Sequence, residues 1–151
     1  MSVDDLIVEV SVGPGVHPPV EAERVEAAVR HVLSAEGIEE AEISLALLDD
    51  GAIAAMNQEY LEHEGPTDVI TFAMHEGDEP PLGDIYVGVE QAVRQAAEFG
   101  ATPAEEVLRL AVHGALHVLG YEHPDGPERV ESEMFIRQEE LLRSFLSSGG
   151  A

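Results

Sequence analysis

Residues 3 to 12 are rich in Val and Ile and run into Gly13-Pro14-Gly15, a pattern that predicts a strand closed by a turn. A helix follows with Pro18 and Pro19 at its start. Its apolar positions Val20, Val25, Ala28, Val29, Val32 and Leu33 recur at helical spacing until Gly37 stops them, so the stripe belongs to the core. Alternation from Ala41 to Leu48 predicts a second strand, after which Asp49 or Asp50 can cap a helix carrying Ile53, Ala54, Met56, Asn57 and Tyr60. After the loop His63-Glu64-Gly65-Pro66, two β-branched and aromatic runs, 67 to 73 and 82 to 88, flank an acidic, Pro- and Gly-rich connection and read as a hairpin or adjacent strands.

A helix from about Val89 to Phe99 should end at Gly100. Thr102-Pro103-Ala104-Glu105 then presents a cap, a first-turn proline and a capping-box glutamate. The helix begun there runs through Val107, Leu108, Leu110, Ala111, Val112, Ala115, Leu116 and Leu119, leaves almost no polar face, and so belongs in the interior. Gly120 ends it. A final helix from about Pro127 to Leu146 carries Val130, Met134, Ile136, Leu141, Leu142 and Phe145. The pattern describes one domain over residues 1 to 148, with 149 to 151 a flexible tail.

Composition narrows the function. The 151 residues contain 31 acidic and seven basic side chains, all seven of them Arg, for a formal net charge of -24. Such a surface repels a polyanion over a Debye length of about 8 Å, which argues against casual nucleic-acid binding and against DNA as a partner. An RNA substrate must be gripped by local Arg side chains or presented by a partner. There is no cysteine, which removes disulfides and thiolate metal ligands. Acidic Asp4 and Asp5 stand where a secretory signal needs basic residues, and no apolar run is long enough to span a bilayer, so the expectation is a cytoplasmic protein with no membrane partner.

On the apolar helix, His113 and His117 are four residues apart and stack on one face a turn apart. Gly120 lets the chain leave the helix with positive φ, so that His123 returns as a third nitrogen ligand. Three protein ligands leave a coordination position open for water or substrate, as in catalytic rather than structural zinc sites. Zinc is the expected ion, although imidazole also suits copper, iron and nickel. The same spacing occurs in metzincin proteases, where a Glu after the first His is the base; here that residue is Gly114, which cannot accept a proton.

The segment from His113 to His123 (HGALHVLGYEH) resembles the signature of the YbeY family of bacterial rRNA maturation factors. Residues 56 to 72 (MNQEYLEHEGPTDVITF) resemble the family's second block, and Leu82-Gly83-Asp84-Ile85 its third, in the family's order. The resemblance implies an α+β domain, a small mixed sheet of about four strands packed with about five helices. It also implies one zinc ion on His113, His117 and His123, and single-strand-specific endoribonuclease activity in small-subunit (16S) rRNA 3′-end processing and ribosome assembly. Leu61 stands where many members carry an Arg thought to contact RNA, and Glu122 replaces the commoner Asp. The first departure removes a phosphate anchor. It keeps two alternatives open: a non-catalytic, metal-stabilised assembly factor contacting ribosomal or assembly-factor proteins, and a metal-dependent hydrolase of another substrate, proteins included.

The general base is to be sought among Glu122, His63 and Asp68, the last of which can instead brace the turn entering its strand. Asp84 can orient a ligand imidazole or simply follow a turn at Gly83. Arg109, one turn before His113, can meet a phosphate or pair with Glu105 or Glu106. His17, His31 and His75 carry no assigned role.

Overall fold

The alternating segment 41 to 48 becomes a strand in the computed structural model, which describes residues 5–61, 67–121 and 133–148. In this strand, β2 (Ala41–Leu48), Ala41, Ile43, Leu45 and Leu47 are buried while Glu42 and Ser44 are exposed. The other strands are β1 (Leu6–Val12), β3 (Val69–Ala73) and β4 (Leu82–Gly88). They form a mixed sheet in the order β1-β2-β4-β3, in which β3 is an edge and runs antiparallel to β4, while β1, β2 and β4 are parallel. The register Val10↔Leu45↔Ile85 and Leu47↔Val87 puts one apolar face of the sheet against the helices.

Among the described residues there are five helices: α1 (Ala22–Ala35), α2 (Asp50–Leu61), α3 (Val89–Ala96), α4 (Pro103–Val118) and α5 (Glu133–Ser147). With the four strands they make one α+β domain. Helix α1 starts later than its prolines suggest. Pro18 and Pro19 precede it, Glu21 is the N-cap with extended backbone, and buried Val20 takes the position of a hydrophobic staple opposite Val25. Of the two aspartates before α2, Asp49 is the cap, accepting from the Ala52 N–H at 2.8 Å. Strand β3 begins at Val69 because Asp68 is occupied as a turn residue, and α3 gives way to a 3-10 turn at Ala97–Phe99 before left-handed Gly100. The expected start of the last helix near Pro127 and the tail 149–151 lie outside the described residues. No described helix is long and apolar enough to cross a membrane.

Helix α4 is the centre of the packing, with eleven of its sixteen residues buried. The capping box forms as its sequence requires: Thr102 Oγ1 accepts from the Glu105 N–H and the Glu105 carboxylate accepts from the Thr102 N–H. At the other end Gly120, at φ 104°, donates to His117 O, and Tyr121 donates to Leu116 O at 3.0 Å, the paired bonds of a Schellman motif.

Two glycines set how close α4 lies to the sheet. A Cβ at Gly114 would fall 2.6 Å from Ile85 Cγ2, and one at Gly83 would fall 2.7 Å from Val118 Cγ2 and 2.8 Å from the Phe72 carbonyl oxygen. Gly114 is therefore a contact point, and the site has no room for a side chain, basic or otherwise. Gly114→Ala gains about 1 kcal/mol of helix propensity. It is nonetheless expected to lower stability by about 1–3 kcal/mol through overpacking against buried Ile85. Thermal unfolding would show the loss as a Tm lower by roughly 2–12 °C; an unchanged or raised Tm would mean that the helix moves off the sheet without cost.

Candidate metal centre

His113 and His117 project from one face of α4, with ring centroids 4.7 Å apart and an interplanar angle of 78°. Both line a cavity of about 670 Å³ bounded by α4, α5, the edge strand β3 and the turn after α3. Asp68, Gln95, Phe99, Arg109 and Gln138 share its wall. His113 is buried and His117 partly so, which places one imidazole inside the wall and the other at its surface.

The two described imidazoles are donors of the kind a divalent transition metal takes. His113 Nδ1 lies 2.6 Å from Gln138 Oε1, and a carbonyl oxygen on one ring nitrogen is the usual partner of an imidazole whose other nitrogen binds an ion. Among the described residues no group of three His, Asp or Glu side chains converges on one point. The expected third ligand His123 lies outside the described residues, as do the candidate bases His63 and Glu122. The chain enters that segment from a fixed point. Tyr121 donates to Glu36 Oε1 at 2.6 Å, and Arg137 Nε donates to Glu36 Oε2 at 2.8 Å, joining the ends of α4 and α1 to α5. The hydrogen bond to Glu36, with burial, raises the pKa of Tyr121.

Asp68 braces its turn and also lies on the cavity wall. Its Oδ1 accepts from the Val69 N–H at 2.8 Å, bracing the entry to β3, while Oδ2 accepts from Gln95 Nε2 at 3.2 Å on the cavity wall. Arg109 takes the ion-pair reading. Its Nη1 lies 2.6 Å from Glu106 Oε1, and Nε and Nη2 grip both oxygens of Glu139 at 2.9 and 3.2 Å. Burial works to lower its pKa, but the bonds to Glu139 and Glu106 outweigh that and hold it above its usual range. Asp84 does not orient His113; it stands 3.4 Å from Tyr86 Oη, whose pKa is raised by burial and by this carboxylate. Gln138 supplies the orienting oxygen instead.

Sequence reasoning offered Glu106 as a partner of Arg109 but missed Gln95, Gln138 and Glu139. One signal was present: Gln138 interrupts the apolar stripe Met134, Leu141, Leu142, Phe145 of α5, and a polar residue in a buried stripe needs a partner.

Comparison with known proteins gives a consistent picture. The family model described as "Endoribonuclease YbeY" matches residues 17–146. A Roseiflexus protein named Endoribonuclease YbeY is 36% identical over 154 residues, covering 95% of this chain and 96% of its own. Namesakes from Pelotomaculum thermopropionicum and Moorella thermoacetica are 44% and 46% identical, covering 76% and 72% of this chain and 80% and 76% of their own. A Thermotoga maritima protein solved in solution superposes with a TM-score of 0.64 at 25% identity, with 95% of each chain covered.

Proposed function

The chain belongs to the YbeY endoribonuclease family, and on that premise we propose that it is a zinc-dependent, single-strand-specific endoribonuclease of 16S rRNA 3′-end maturation. It works in the cytoplasm on precursor RNA held by the small ribosomal subunit or an assembly factor. The observation that carries this reading is the His113–His117 pair in the wall of a cavity that also holds Asp68.

His113, His117 and His123 are the proposed ligands. Zinc bound there supplies Lewis acidity, both toward a phosphoryl oxygen and in acidifying water. The chain's own residues do the rest. The cavity, at about 670 Å³, is in the size class of small-ligand pockets of roughly 300–1,000 Å³ and admits an unpaired nucleotide rather than a duplex. Asp68 is a carboxylate on that wall with two of its hydrogen bonds already made, which holds it in one orientation. The proton acceptor is one of Asp68, His63 and Glu122. Among Asp68→Asn, His63→Ala and Glu122→Gln, the variant that retains zinc but loses at least about 100-fold in kcat identifies it; three variants at wild-type turnover would dismiss all three.

One observation favours a second reading, a metal-stabilised assembly factor without catalysis. Arg109 is the only cation on the described cavity wall, and Glu106 and Glu139 already hold it, so RNA phosphates are not gripped there. Elemental analysis together with cleavage assays separates the readings. The expected result is about one zinc per chain and cleavage of single-stranded but not duplex RNA, lost with a chelator and restored by Zn²⁺. Stoichiometric zinc with neither RNA cut would favour the assembly factor, and cleavage of a casein-type substrate would favour a protease.

A further inference from the structure

Helices α4 and α5 are joined by two polar rungs one helical turn apart. Arg109 meets Glu139, and His113 meets Gln138, so neighbouring residues of α5 face residues four apart on α4. We propose that Gln138 is a positioning residue that holds His113 in the tautomer with its proton on Nδ1, and that the Arg109–Glu139 pair decides which way the Gln138 amide faces.

A carboxylate only accepts, so the Gln138 atom 2.9 Å from Glu139 Oε2 is the donating Nε2. The other end of the amide, Oε1, then faces His113 Nδ1 at 2.6 Å, and an amide oxygen only accepts, so the ring proton is on Nδ1. The lone pair is left on Nε2, the atom a metal ion takes. Turning the amide over would point its Nε2 donor at His113 Nδ1 and so call for the other tautomer, but it would also set the amide oxygen against the Glu139 carboxylate. Glu139 cannot swing away to relieve this, because Arg109 grips both its oxygens while Glu106 holds the guanidinium from the other side. Glu106 in turn accepts from Gln95 Nε2 at 2.6 Å, so the rung is braced from α3 as well. Gln138 is 5% exposed, and no buried side-chain nitrogen or oxygen among the described residues lacks a partner, so bulk water does not offer the amide an alternative.

The value of such a lock to metal binding rests on the proposed ligand role of His113, but the tautomer itself can be read without metal. Long-range ¹H–¹⁵N NMR on the metal-free full chain shows which ring nitrogen is protonated. Wild type is expected to show His113 as the Nδ1–H form. Gln138→Leu, of similar volume and without an acceptor, is expected to populate the Nε2–H form and to weaken Zn²⁺ binding by roughly 10–100-fold in a chelator competition. Pairing Gln138→Glu with Glu139→Gln keeps an acceptor toward His113 without setting two carboxylates together, and this double variant is expected to retain the tautomer and to bind Zn²⁺ at least nearly as tightly as wild type.

An Nε2–H form of His113 in the wild type would overturn the proposal even if the leucine variant failed to fold. So would an unchanged tautomer and affinity in a folded Gln138→Leu protein, or an equal loss in the leucine and double variants. A wild type with the stated tautomer that takes up no Zn²⁺ would leave the lock standing and remove the metal reading instead.

Discussion

His117→Ala is expected to leave a folded protein that holds almost no zinc and cuts single-stranded RNA only at background. His117 suits the test better than His113 because it is partly exposed and its ring, though it meets the His113 ring edge-on, is not part of the buried rung to α5. Loss of a ligand acts on the ion directly. It should exceed the roughly 10–100-fold weakening that follows when only a supporting hydrogen bond is removed. Metal content by elemental analysis, Zn²⁺ affinity by competition and cleavage of a labelled single strand should fall together, while the melting curve of the metal-free variant should match that of metal-free wild type. Retained stoichiometric zinc in the variant would remove His117 from the ligand set, and retained cleavage without zinc would detach the chemistry from the metal.

Arg109→Met is expected to cost about 3–5 kcal/mol of stability, because it removes one partner of a buried ion pair and leaves the other in place. The stranded group is Glu106, whose side chain is 1% exposed and whose remaining hydrogen bond comes from Gln95. Urea unfolding would show the loss as a lower midpoint at an unchanged slope. Arg109→Lys should recover only part of it, since an ammonium cannot reproduce the fork that grips both oxygens of Glu139 while also meeting Glu106. Adding Glu106→Gln to Arg109→Met removes the stranded charge, so the double variant should be more stable than Arg109→Met alone. The same series tests the ion-pair role of Arg109. A structural strap shows a large stability loss. A phosphate anchor would instead show an unchanged urea midpoint and a raised KM for RNA.

The elements were legible because their signals are local. The alternation of Ala41 to Leu48 matches β2 residue for residue, since a sheet with one face on the core buries every second side chain. Thr102, Pro103 and Glu105 announced α4 because a capping box closes within one turn. Errors came where a local signal had two meanings. Proline suits both the first turn of a helix and the extended chain before it, and at Pro18 and Pro19 the second meaning won. Thr67 and Asp68 looked like strand, yet the Asp68 side chain caps the Val69 N–H and delays β3.

By itself the sequence determined the strands and helices, the family, and the placing of His113 and His117 on one face of a buried helix, because a spacing of four on 3.6 residues per turn leaves no other arrangement. Tertiary structure alone decided what surrounds that pair. Gln138 and Glu139 lie 25 and 30 residues from the α4 side chains they contact, and Gln95 meets Asp68 across 27. No periodicity encodes such contacts; they follow from how α4 packs on α5 and β4. That approach is permitted by the missing side chains at Gly83 and Gly114, where an imagined Cβ would have its nearest neighbour at 2.7 and 2.6 Å. The choice of Gln138 rather than Asp84 as the partner of His113 was settled by that packing, because the helix turns its polar edge toward α5 and its glycine toward the sheet.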